Sequence, residues 1–165
     1  RERRAARTEP ARADVLNDGP PSSGAEAPPT GADGARVVVV DERADAGAVV
    51  SAVLAAAGFQ VATCAPGDTV VRALRDEDVA VCVVALAPGQ DDDASALVGA
   101  LRGRAEPQVR DAALVVLVDD PVGAATATAA GADLTVARPV EPERLVAAVT
   151  EVSSVEADVR RRRRP

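Results

Sequence analysis

The sequence has no histidine, lysine, methionine, tryptophan or tyrosine, and its only aromatic residue is Phe59. Without histidine there is no Ser–His–Asp or Cys–His pair. A His-ligated zinc or haem is also excluded, and so is a phosphohistidine. The two cysteines, Cys64 and Cys82, are too few for an all-cysteine metal site or a disulfide scaffold. Both fall on expected strands, where buried free thiols are the ordinary arrangement. That usage fits a reducing cytoplasm, the expected location. There is no unbroken apolar run of about 18 residues, so no membrane span is expected.

What is present is mostly small. Hydrophobic residues make up 47% of the 165 positions, almost all of them Ala, Val and Leu. A core is feasible at this length. Alanine buries little area, so modest stability resting on close helix–sheet approach is expected. The formal net charge of −7 is unevenly spread. Residues 36–155 carry nine arginines against eighteen acids, and residues 156–165 carry five against two. An acidic domain is a poor nucleic-acid binder by itself, so no nucleic-acid partner is expected. Arg160 and the four arginines around and after it, up to Arg164, read as a solvated basic tail or a linker. The chain opens on Arg rather than Met, which suggests a fragment or a processed product.

Residues 1–34 are rich in Pro, Gly, Ser and charge and lack an apolar stripe, so this segment is expected to be disordered. Strand and helix patterns then alternate to residue 155. Arg36 is followed by four valines, a continuous β-branched run that marks a buried parallel strand. Ala46, Val49, Val50, Val53, Leu54 and Ala57 have helical spacing, and Gly58 supplies the stop. Further strands are expected over 60–64, 79–86, 113–118 and 133–137. Further helices are expected after Asp68, from about Ala94 to Leu101, over 122–130, and from Pro142 to Val152. The 122–130 helix is small-residue and Thr-rich and should be weak or mobile. Gly47, Gly99 and Gly123 read as close-packing or fraying sites rather than ligand loops. Strict βα alternation predicts a single α/β domain over 35–155, a doubly wound parallel five-stranded sheet of flavodoxin-like order 2-1-3-4-5. A site in such a fold lies beyond the carboxyl ends of strands 1 and 3. Those ends are Asp41-Glu42 and Ala85.

Val40-Asp41-Glu42-Arg43, the Gly58-Phe59 pair, Gly67, Ala130-Gly131-Ala132-Asp133 and Arg138-Pro139 together resemble the receiver domain of bacterial response regulators. The resemblance covers about 36–152. It implies transfer of a phosphoryl group from a partner's histidine to an aspartate at the end of strand 3. Such chemistry needs an attacking carboxylate, magnesium held by the acidic pair, and a hydroxyl and an ammonium to stabilise charge. The aspartate position here is Ala85, the hydroxyl position Val118, the switch aromatic Thr135, and the lysine position Arg138. The loop after strand 3 is one residue short of the usual pattern. In the family the peptide bond corresponding to Arg138-Pro139 is typically cis.

These departures make a degenerate receiver the leading expectation: a non-enzymatic protein-interaction module of two-component-type signalling. Its partners would be a sensor kinase, an effector, or a second copy. Contact would run through the 122–130 helix, the fifth strand and the last helix. The alternatives are a cation or small-ligand site at the acidic strand ends, and a regulatory piece of a hybrid kinase or transcription regulator. Asp41 and Glu42 are the candidate metal ligands, for weak magnesium or calcium. Asp91, Asp92, Asp93, Asp119 and Asp120 are expected to crowd the same edge, to raise one another's pKa and to attract cations.

Overall fold

A computed structural model of the chain describes residues 34–43, 46–76, 78–155 and 157–163. Five strands, β1 (Arg36–Val40), β2 (Gln60–Cys64), β3 (Val81–Val84), β4 (Leu114–Val118) and β5 (Leu134–Ala137), form one sheet of order β2-β1-β3-β4-β5. Every pairing is parallel. Parallel neighbours need crossovers, and helices supply them. These are α1 (Ala46–Ala56), α2 (Asp68–Asp76), α3 (Asp91–Arg102), α4 (Pro107–Arg110), α5 (Pro121–Ala130) and α6 (Pro142–Ser154), with α7 (Ala157–Arg163) at the end. The doubly wound architecture expected from the βα alternation is therefore the one observed.

Because strand side chains alternate, the sheet has two cores. On one face Val37, Val39, Val81, Val83, Val115 and Leu117 meet Val50 and Leu54 of α1 and Leu145, Val149 and Val152 of α6. On the other, Val40, Cys82, Val84, Leu114, Val116 and Val118 meet α2, α3, α4 and α5. Each valine so buried contributes roughly 1.5–3 kcal/mol. Val49 departs from the expected stripe. It is exposed, because α1 buries the row running through Gly47, Val50, Leu54 and Ala57.

Four other differences matter. β3 is shorter than the apolar run suggests, so Ala85 stands just beyond its last paired residue. α3 begins at Asp91, three residues before its first buried apolar position. α4 interrupts a stretch with no clear helical period, started by Pro107 in its first turn. α7 makes the supposed tail helical, and Arg161 binds Asp111 at 3.2 Å. The expectation for residues 1–33 lies outside the described residues, while Gly34 is tied in by its N–H to the carbonyl of Gly58 at 3.2 Å. Neither cysteine forms a disulfide. Burial pushes the Cys82 thiol well above its ordinary pKa, while Cys64 is only half-buried.

Candidate functional site

The carboxyl ends of β1, β3, β4 and β5 gather Asp41, Ala85, Val118 and Arg138 at one edge of the sheet. Ala85 continues the ladder beyond β3, its N–H donating to the carbonyl of Val40 at 2.9 Å. It is fully buried and packs with the α1 and α6 core. Val118 is buried in the opposite core, and its carbonyl accepts from the Arg138 N–H at 2.9 Å. Thr135 is half-buried on β5 beside Val116. The Arg138-Pro139 bond is cis, as the resemblance implies.

The acidic pair is divided. Asp41 is buried, and its two oxygens accept from the N–H of Gly47 at 2.8 Å and of Arg43 at 3.1 Å. It anchors the start of α1, where unpaired N–H groups favour a carboxylate. The approach is close enough that a Cβ on Gly47 would lie 2.7 Å from the Asp41 Cβ, so this glycine is a packing site. Glu42 points out into solvent, its nearest hydrogen-bond partner being the Gln90 amide at 3.4 Å. Among the described residues no group of three or more His, Cys, Asp or Glu side chains could hold a metal ion. One acid is committed to backbone, the other is outward, and the third position is alanine. The residues do not fit the magnesium site that the resemblance implies.

A different cluster holds this edge together. The Arg138 guanidinium pairs with Asp119 Oδ1 at 2.9 Å, stands 4.0 Å from Asp91 Oδ1, and donates to the carbonyl of Leu86. Asp119 Oδ2 accepts from the N–H of Gly89 at 2.6 Å. Asp91 Oδ2 accepts from the N–H of Asp119 at 3.0 Å. Asp120 caps α5 by accepting from the N–H of Gly123 at 2.8 Å. The expected mutual raising of carboxylate pKa values is corrected at Asp119. The Gly89 N–H, opposed by burial and aided by the Arg138 guanidinium, holds its pKa below the ordinary value. Asp92 and Asp93 are exposed and stand outside the cluster.

Reasoning from sequence placed Asp91 and Asp119 at this edge but missed their work. One signal was available. Ala94, Val98 and Leu101 line the buried face of α3, and one turn back along that row is Asp91. A second missed group lies at the other end of the sheet. Arg102 Nη2 pairs with Asp133 at 3.0 Å, and its remaining nitrogens donate to the carbonyls of Gly131, Arg110 and Ala112.

The fold is that of response-regulator receiver domains, and solved structures of these match it. A chemotaxis response regulator of Vibrio cholerae has a TM-score of 0.57 and 23% identity, covering 72% of this chain and 98% of its own. The signal receiver domain of a histidine kinase from Syntrophus aciditrophicus has a TM-score of 0.60 and 22% identity, covering 73% and 90%. A response regulator from Thermotoga maritima has a TM-score of 0.60 and 21% identity, covering 74% and 99%. No protein-family model matches the sequence, and no curated protein matches it. Among the described residues no helix is long and apolar enough to cross a membrane.

Proposed function

We propose that this chain is a receiver domain of two-component-type signalling that has lost aspartyl phosphoryl transfer and acts as a phosphorylation-independent interaction module in the cytoplasm. The observation that carries this reading is Ala85: no carboxylate stands at the end of β3, and the position is sealed in the core. Arg138, the residue that would meet a phosphoryl group, has its guanidinium engaged by Asp119 and by the carbonyl of Leu86. Val118 offers no hydroxyl in place of the usual one. Among the described residues at this edge, none supplies both a nucleophile and a free charge to receive its product. The domain therefore performs no phosphoryl chemistry of its own, and a protein partner sets its state.

The partner is a kinase, an effector or a second copy of the chain, and the contact face is α5, β5 and α6. α5 supports this choice because it leaves Val122 73% exposed, the most exposed large hydrophobic residue among the described residues. The direct test is incubation with acetyl phosphate and, separately, with beryllofluoride and magnesium, followed by intact mass and amide NMR. The expected result is no added phosphoryl mass and no shift of the amides around Ala85. A stoichiometric label, or a shifted set of amides at that edge, overturns the reading.

A further inference from the structure

We propose that Arg138 is a latch that fixes the position of α5 by joining three loops at the carboxyl edge of the sheet. The connectivity is specific. One guanidinium at the end of β5 bonds the Leu86 carbonyl just past β3 and the Asp119 carboxylate in the turn that leads into α5. Asp119 in turn holds Gly89, in the loop before α3. Asp91, at the start of α3, holds the Asp119 N–H and stands against Gly123 on the first turn of α5. The contacts form a closed ring, and α5 leaves it two residues after Asp119.

Apart from its Asp120 cap, the helix it fixes is held by the packing of small residues against α3 and the sheet. The fully buried residues of α5 are Gly123 and Ala127, and Ala124 and Ala130 are partly buried against the same core, so the apolar area it contributes comes from small side chains. Its carboxyl end has a separate anchor, since Arg102 donates to the Gly131 carbonyl at 2.9 Å. Thr126 and Thr128 send their hydroxyls back to the carbonyls four residues earlier, a pattern that adds no tertiary contact. With only small side chains packed, the ring of polar contacts at the amino end decides where α5 sits. Opening the ring frees α5 while the sheet remains intact. The latch stands whether or not the domain takes part in signalling.

The test is native-state hydrogen exchange on the full chain, comparing the parent with Arg138→Met, Arg138→Lys and Asp119→Asn. Methionine keeps the apolar stem and removes the charge, while lysine keeps the charge but cannot bridge two acceptors with a planar fork. Asparagine cuts the same ring from the opposite side, away from the cis Arg138-Pro139 bond. The expected result is faster exchange of α5 amides by about tenfold or more in Arg138→Met and Asp119→Asn, with β1 and β3 amides unchanged. Arg138→Lys should fall between these and the parent. Unchanged α5 exchange, or a rise spread equally over sheet and helices, overturns the proposal. If Arg138→Met does not fold, Asp119→Asn alone decides between the two outcomes.

Discussion

Asp91 occupies the space that a side chain on Gly123 would need. A Cβ built on Gly123 would overlap Asp91 Oδ2 and lie 2.7 Å from its Cγ. The contact joins the first turns of α3 and α5, and it persists only because residue 123 has no side chain.

Two glycine substitutions of equal chemistry should therefore have opposite signs. In an exposed helix interior Gly→Ala stabilises by about 1 kcal/mol through propensity and unfolded-chain entropy. Gly99 on α3 has open space around its absent Cβ, so Gly99→Ala should show that gain. Gly123→Ala must push the Asp91 carboxylate away from the Asp119 N–H, losing a charge-assisted hydrogen bond of roughly 1.5–3 kcal/mol. The loss outweighs the propensity gain, and a net destabilisation of about 1 kcal/mol is expected. Urea denaturation of the two variants measures both. A stabilised Gly123→Ala would mean that Asp91 moves aside freely.

The depressed pKa of Asp119 fixes the sign of a pH effect. Its ionised form is favoured in the folded state by the Gly89 N–H and the Arg138 guanidinium. The contribution is complete above the ordinary carboxylate value and is lost as pH falls through the lower, folded value. Asp119→Asn removes it at every pH. The stability gap between parent and variant should thus be largest near neutrality and should close below about pH 4, the usual aspartate range. Denaturation curves from neutral to strongly acid pH check this, and a gap that stays constant would count against a charged Asp119 as the cause.

Most of the scaffold was legible because local pattern and global fold agree. The valine run at β1, the glycine after α1 and the Pro142 start of α6 each state their element without help from distant residues. Ala85 was legible too, as a missing residue type at a position set by topology. The ring around Arg138 was not, because residue type limits possible partners without choosing among them. Three consecutive aspartates begin α3, and helical spacing from Ala94 marks Asp91 as the inward one, but only the tertiary arrangement shows that it meets the Asp119 N–H and Gly123. α7 was hidden for a related reason. A like-charged run reads as solvated, yet arginine is a good helix former, and the Asp111 partner lies 50 residues away in sequence.

Restoring the carboxylate at the end of β3 should not restore chemistry. Ala85 is fully buried, so Ala85→Asp places an ionisable group in an apolar core, at a cost of about 1–3 kcal/mol for the unpartnered group. Desolvation would raise its pKa and weaken it as a nucleophile. Asp41 remains committed to Gly47 and Arg43, and Val118 still lacks a hydroxyl. The expected outcome is a destabilised variant that gains no phosphoryl mass with acetyl phosphate. Efficient labelling would show that the remaining positions are still competent and that the lost nucleophile alone silences the domain.

Arg102 should be the most damaging single arginine to remove. Its side chain is 11% exposed and Asp133 is 6% exposed, so the pair is largely desolvated. The guanidinium also satisfies the Gly131 carbonyl at the end of α5, the Arg110 carbonyl in the last turn of α4 and the Ala112 carbonyl just beyond it. Asp133 meanwhile accepts the Leu114 N–H that opens β4 at 2.8 Å. Removing one partner of such a pair leaves an uncompensated buried charge, which costs roughly 3–5 kcal/mol. That is a large part of the total for a domain of this size. Arg102→Lys should recover little, since one ammonium cannot reach acceptors on both sides of a planar fork. A double-mutant cycle with Asp133→Asn measures the coupling by chemical denaturation. If the two losses simply add, the pair does not act as a unit and the carbonyl contacts carry the effect of Arg102 by themselves.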